Sequence, residues 1–373
     1  MKSNVKLITA FAVLSTSLHA TNGDHLIGIG AKSLGMAGTG IAISHGAESA
    51  LANPALITAV KGKEISFGGT MFMPDVETDL GAGDGYVQSD ADFSVIPAVS
   101  LAMKSTDNFY WGVGMWGTAG MGVDYRGTNT NNEMVTNLQL MQFGLPLAYT
   151  DNGFSIGITP ILQYGALDMS YIGSTTKGVA QDLALGYTVG AAYNVSDVTL
   201  GLVYKSPIKM TYDGQISLAA GGFGLGGFTD DLEQPSEMGA GIAYAMGRSV
   251  IALDYKRINW ENAAGYKDFG WKDQDVFAIG YQHSQDAWVI RAGYNYAKSP
   301  IVEHVETNVN MLNLLGFPAT VESHYALGGS YMFTKKTSVD VAYVYAPEES
   351  DTLGTTSTKH SQSALSMQVT FDF

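Results

Sequence analysis

Apolar and polar residues alternate up to the last residue of this chain. From Ser363 onward, Leu365, Met367, Val369, Phe371 and Phe373 fall on one side of an extended backbone. Ala364, Ser366, Gln368, Thr370 and Asp372 fall on the other. An apolar strand left at the edge of a soluble sandwich invites aggregation. A closed barrel uses such a strand to meet its first one. The alternation therefore predicts a transmembrane strand with one lipid-facing side, and a soluble edge strand is the competing reading.

Fourteen segments of this kind follow residue 64, over 65–74, 91–103, 109–124, 134–150, 153–168, 183–195, 197–207, 236–246, 249–260, 274–283, 287–296, 321–333, 337–347 and 362–373. Short connections (104–108, 150–153, 196–197, 246–249, 284–287, 334–336) alternate with long ones (75–90, 125–133, 169–182, 208–235, 261–273, 297–320, 348–361). That rhythm belongs to outer-membrane barrels, with short periplasmic turns and long external loops. The pattern predicts an all-β fold, a 14-stranded antiparallel transmembrane barrel with both ends in the periplasm. A charged side chain facing mid-bilayer costs about 2–4 kcal/mol for Arg or Lys. Arg291 and Asp254, each opposite an apolar face, should therefore point into the lumen. Trp111, Trp116, Trp260 and Tyr343 are expected in interfacial girdles.

The start of the chain differs. Lys2 and Lys6 precede a short apolar run, 7–18, and Leu18-His19-Ala20 suits cleavage, so 1–20 reads as a secretory signal peptide. Residues 21–63 lack strand alternation, yet contain Leu26, Ile27, Ile29, Leu34, Met36, Ile41 and Ile43. So apolar a segment is expected to fold into the lumen of the 64–373 barrel as a plug. Within it, Asn53-Pro54 reads as a helix start, with Asn as cap and Pro at the first helical position.

The net charge of −15 argues against nucleic acid as a partner, since binding it requires cations that neutralise phosphates. The absence of cysteine excludes disulfides and thiolate chemistry. Neither the scattered histidines nor Gly28-Ile29-Gly30, which follows no strand, forms a metal or dinucleotide motif. No metal or cofactor is expected.

Several runs together resemble the FadL/TodX (OmpP1) family of outer-membrane transporters. They are Leu26-Ile27-Gly28-Ile29-Gly30, Gly35-Met36-Ala37-Gly38-Thr39-Gly40 and Asn53-Pro54-Ala55-Leu56-Ile57-Thr58. Further on come Phe109-Tyr110-Trp111-Gly112-Val113-Gly114, Pro235-Ser236-Glu237, Leu253-Asp254-Tyr255 and Arg291-Ala292-Gly293-Tyr294. The resemblance implies a monomeric barrel with an N-terminal hatch, and Asn53, Pro54 and Ala55 take the hatch role. It also implies passive transport of long-chain fatty acids or related hydrophobic compounds, with lateral exit into the membrane at a kinked third strand. Glycine inside a strand marks bends and bulges, so Gly112, Gly114, Gly117 and Gly120 are the lateral-opening candidates.

Ile216, Leu218, Phe223, Leu225 and Phe228 lie among glycines in a long external loop and are the expected substrate-capture patch. A carboxylate substrate needs a cation in a dry site, and Arg291 and Lys205 are the head-group candidates. Without such a cation, neutral hydrocarbons (aromatics or alkanes) become the better substrate. An outer-membrane lipid-modifying enzyme is the alternative from another class. The C-terminal strand is the expected contact for the barrel assembly machinery.

Overall fold

The structure, a computed structural model, describes residues 21–128, 133–171 and 178–373. The leader reading for 1–20 lies outside the described residues. Fourteen antiparallel strands follow in chain order: β1 (Lys63–Asp79), β2 (Ser94–Lys104), β3 (Phe109–Asp124), β4 (Val135–Gly144 and Leu147–Asp151, interrupted at Leu145-Pro146), β5 (Phe154–Ser170), β6 (Ala180–Val195) and β7 (Val198–Lys205) make the first half. The second half is β8 (Glu237–Met246), β9 (Ser249–Ile258), β10 (Gln274–Gln285), β11 (Trp288–Ala297), β12 (Ser323–Thr334), β13 (Thr337–Leu353) and β14 (Thr356–Asp372). β14 returns to β1, from Ser357 against Asp79 to Asp372 against Glu64, and closes the barrel.

Side-chain faces follow the alternation. In β14, Ser366, Gln368 and Thr370 are buried inside, while Met367 is exposed on the lipid face. Arg291 and Asp254 both point inward and are buried. Trp111 keeps its place on the outer face, but Trp116 and Trp260 do not join a girdle. Trp116 is fully buried in the lumen, where its Nε1 donates to Ser100 Oγ at 2.9 Å. Trp260 is buried under the external loops, edge-on to Tyr266 and Trp271. Both indoles carry a donor, and each finds an acceptor inside instead of interfacial water.

The connection expected at 348–361 is mostly strand. β13 and β14 run on past the membrane, Glu349 opposite His360 and Leu353 opposite Thr356, and turn at Gly354, whose φ of 63° suits glycine. Above the bilayer a strand needs no apolar face, so its Ser/Thr/Asp/Glu alternation resembles a loop. Elsewhere the external connections build a roof from a small hairpin (Ile208–Thr211 with Asp231–Gln234), α3 (Ile216–Gly222) and α4 (Thr307–Gly316), preceded in the chain by the hatch helices α1 (Ala31–Leu34) and α2 (Ser49–Ala52).

The hatch fills the lumen, with Ile27, Leu34, Met36, Ile41 and Ile57 buried. It lies directly on the wall, because the strands beneath it carry glycine. A Cβ on Gly201 would sit 1.9 Å from the Ile41 carbonyl oxygen, and one on Gly293 would sit 2.5 Å from the Met36 carbonyl carbon. Irregular backbone enclosed in a barrel must still satisfy its N–H and C=O groups. Inward polar side chains do this: Asp254 Oδ2 accepts from Gly40 N–H (2.7 Å) and Ile41 N–H (2.9 Å). Glu64 Oε1 accepts from Ala47 N–H (2.9 Å).

Substituting Asp254→Ala orphans two buried donors, each costing about 1–3 kcal/mol. The variant is expected to keep the heat-modifiable gel migration of a folded barrel. Its hatch should be cleaved faster in limited proteolysis, and cleavage at the wild-type rate contradicts this anchoring.

Candidate functional site

Asn53 holds the hatch at its C-terminal end. Its Oδ1 accepts from Ala55 N–H (3.1 Å), capping the 3-10 turn Pro54–Ala59. Its Nδ2 donates to the Ile41 carbonyl (2.7 Å) within the hatch and to the Ala191 carbonyl (3.1 Å) of β6. One side chain thus ties a turn, a neighbouring hatch segment and the wall together. Gly190 and Gly157 make the room: a Cβ would lie 2.0 Å from Asn53 Oδ1 on the first and 2.5 Å from the Pro54 carbonyl carbon on the second.

An inner cavity of about 90 Å³ lies between hatch and wall, lined on its apolar side by Leu26, Ile29, Ile161 and Val203. Its polar end centres on Glu237. Lys205 Nζ donates to the Glu237 carboxylate at 3.2 Å, and His25 Nδ1 lies 3.0 Å from it. Lys256 lines the same cavity; it makes no close ion pair among the described residues, and the Glu237 and Asp254 carboxylates act on it from farther off.

A second cavity, about 490 Å³, opens through the wall between β2 and β3. The two strands pair from Lys104–Tyr110 up to Ala98–Trp116 and then part. Pro97, next on β2, has no N–H to give β3. On β3 the register against β4 shifts between Gly117 and Ala119, so Thr118 bulges. Above that point the free edge of β3 meets the hatch instead of β2: Gly120 N–H donates to the Asp24 carbonyl (3.1 Å), and His25 pairs with Ala119. Leu26 borders both cavities. The residues Asp24 to Leu26 therefore stand between the inner cavity and the cleft.

The profile of the family described as outer membrane protein transport protein (OMPP1/FadL/TodX) matches residues 12–246 and 254–372. The chain belongs to this family. The 47 kDa outer membrane protein of Pasteurella multocida (strain Pm70) is 22% identical over 405 residues, covering 93% of this chain and 92% of that protein. Among solved structures, a Pseudomonas aeruginosa FadL homologue superposes with a TM-score of 0.72 at 15% identity, covering 96% of this chain and 100% of the other. The toluene transporter TodX of Pseudomonas putida gives 0.72 at 18% identity, covering 93% and 99%. The fold and the outer-membrane location are those of the FadL family, whose members carry hydrophobic compounds.

In this FadL-family barrel the glycine candidates separate into two pairs. Gly112 N–H donates to the Pro146 carbonyl (2.9 Å) at the break in β4. Gly114 makes space for the Trp116 ring, 1.7 Å from where a Cβ would lie. Gly117 and Gly120 border the cleft. Of the capture patch, Ile216, Phe223 and Leu225 are buried in the roof and Phe228 packs against it, so Leu218 alone of the five is exposed. Arg291 is already engaged: its Nε donates to Gln282 (2.8 Å), its Nη1 to Ser330 (2.6 Å), and Asp340 lies 3.9 Å away. Lys205 reaches the inner cavity, where sequence reasoning missed His25, Glu237 and Lys256. The signal for Lys256 was its parity with Asp254 on β9.

The hatch also carries titratable groups. Burial pulls the His25 imidazole down, but the Glu237 and Asp24 carboxylates outweigh it and leave it above its ordinary 6.5. Burial pushes the Glu48 carboxyl up to about 7, against the pull of Lys32. His45 is held neutral, lowered by burial to about 3, with its Nε2 on the Thr39 carbonyl (2.7 Å).

Protonated His25 favours the docked hatch fully below about 6.5, and this contribution is lost as pH rises through its raised value. Glu48 binds its proton more tightly when docked, so docking also weakens as pH rises toward 7. Hatch-opening events in planar bilayers should become several-fold more frequent between about pH 6 and 8.5, and a His25→Phe/Glu48→Gln variant should show a flat profile. An unchanged pH profile in the double variant contradicts this assignment.

Proposed function

We propose that this barrel carries long-chain fatty acids passively across the outer membrane. Substrate enters from the external loops, its carboxylate pairs with Lys256 in the inner cavity, and it leaves sideways through the β2–β3 cleft into the membrane. The observation behind this reading is the polar end of the inner cavity. Lys256 makes no close ion pair among the described residues, the Glu237 and Asp254 carboxylates acting on it only from farther off, and it shares its cavity with the apolar Leu26, Ile29, Ile161 and Val203. A carboxylate taken from water into such a pocket needs that partner. Each buried CH₂ adds about 0.8 kcal/mol, so chain length supplies most of the affinity and the cation sets orientation.

The exit step requires the first hatch hairpin to release its bonds to Gly120, Gln234, Glu237 and Tyr266. When Asp24 to Leu26 swing away, the inner cavity and the cleft join, and Gly117 and Gly120 add no side chains of their own to a cleft where Ile96 already lies against Gly117. Asn53, Pro54 and Ala55 keep the rest of the hatch on β5 and β6 while this hairpin moves. The barrel works as a monomer without catalysis. Phe373, 65% exposed at the short-turn end, is the handle for the assembly machinery.

A neutral-hydrocarbon substrate is the second reading. It is favoured by the Lys205–Glu237 pair, which satisfies one of the two lysines internally.

Uptake of labelled oleate and toluene separates the readings. Lys256→Met is expected to lower oleate uptake about tenfold, the equivalent of about 1.4 kcal/mol, and to spare toluene. Gly120→Phe, which puts a ring in the cleft, should lower uptake of both. Oleate uptake unaffected by Lys256→Met contradicts the carboxylate role. Uptake unaffected by Gly120→Phe contradicts the lateral exit.

A further inference from the structure

The outward wall of β8 to β11 carries a groove of about 610 Å³ near the external rim. Strand register sets its shape. Ala240, Tyr255, Phe277 and Tyr296 form one lateral row, and Ile242, Leu253, Ile279 and Tyr294 form the next row toward the short turns. Ala240 is the small member of its row, so a step opens beside Tyr255 and the ring of Phe277, whose centroids are 5.3 Å apart. The groove is almost wholly apolar, and it lies on the face that meets hydrocarbon.

Just above it the rim carries both signs of charge. Arg257 continues the outward face of β9, with a side chain 41% exposed. It is held by Asp275 (3.0 Å) and Asp273 (3.1 Å). These bonds use Nη1 and Nη2, and the Nε–H of Arg257 makes no hydrogen bond among the described residues. Tyr255 Oη donates to Asp275 (2.7 Å) and Tyr296 Oη to Glu322 (3.4 Å), which aims carboxylates along the top of the groove.

We propose that this groove binds a zwitterionic aminophospholipid. One acyl chain lies in the apolar groove, the phosphate meets the Nε side of Arg257, and the primary ammonium meets Asp275 or Glu322. The occupant follows from position and charge. A groove in the bilayer-facing wall is filled by acyl chains. A rim that offers one guanidinium between carboxylates complements a headgroup carrying a phosphate and an ammonium, whereas an anionic lipid would face the three carboxylates Asp273, Asp275 and Glu322 against the single positive charge of Arg257. The β8–β11 wall is separate from the β2–β3 cleft, so this site stands or falls independently of the transport reading.

Native mass spectrometry of the detergent-solubilised protein tests it, with phosphatidylethanolamine, phosphatidylglycerol and lipid A added singly at equal concentration. Wild type is expected to hold phosphatidylethanolamine at least about tenfold more tightly than phosphatidylglycerol, a difference of about 1.4 kcal/mol. Ala240→Trp, filling the groove, should abolish retention, and Asp275→Asn should narrow the preference between the two lipids. Heat-modifiable migration like that of wild type would show that both variants are folded. Retention unaffected by Ala240→Trp overturns the groove. Equal or tighter binding of phosphatidylglycerol or lipid A by wild type overturns the headgroup assignment.

Discussion

Everything in this barrel depends on how an irregular peptide segment is kept inside a closed wall. The hatch has little regular structure of its own, so much of its backbone must find hydrogen bonds elsewhere. The wall supplies them from inward side chains. Asp254 takes two N–H groups, Glu64 another, Asn295 donates to the Ala37 carbonyl, and Asn53 returns the favour from the hatch side. Those bonds form only because the intervening strands carry glycine, which lets backbone approach backbone. Composition, packing and closure of the pore are therefore one constraint.

The same constraint makes the first hatch hairpin different from the rest. Residues 36–60 lie on continuous wall, whereas Asp24 to Leu26 lie on the free edge of β3, where β2 has turned away. Their contacts reach in two directions. Asp24 and His25 bind Gln234 and Glu237 next to the inner cavity, and Asp24 also accepts from the Tyr266 hydroxyl in the roof. Loop, cavity and cleft thus meet at three residues, and a ligand that displaces them affects all three.

Much of this was legible in the sequence, for reasons that differ by element. The strands were readable because lipid demands strict alternation on one face, as in Leu365 to Phe373. The hatch was readable because Leu26 to Ile43 are too apolar for a tail outside the lumen. The extended β13–β14 hairpin was not readable, since strands beyond the bilayer need no apolar face. Trp116 and Trp260 were misplaced because an indole suits an interface or a satisfied interior equally well, and only the fold supplied Ser100 and the roof. The apolar patch around Ile216 to Phe228 is roof packing for the same reason: oily loop residues bury one another where they can. Lys256 and His25 went unnoticed because a lumen cation on a strand looks like any polar alternate, and its cavity appears only when the hatch is in place. Arg291 was correctly placed inside, but its hydrogen bonds to Gln282 and Ser330 depend on neighbouring strands that sequence spacing does not reveal.

Hydrogen–deuterium exchange of the hatch, with and without saturating oleate, reads out which part of it moves when substrate binds. Faster exchange is expected in residues 21–29 alone, with the amides of Gly40, Ile41 and Ala55 still protected by Asp254 and Asn53. Exchange that rises uniformly through 21–62, or stays unchanged in 21–29 while oleate is transported, would contradict this expectation.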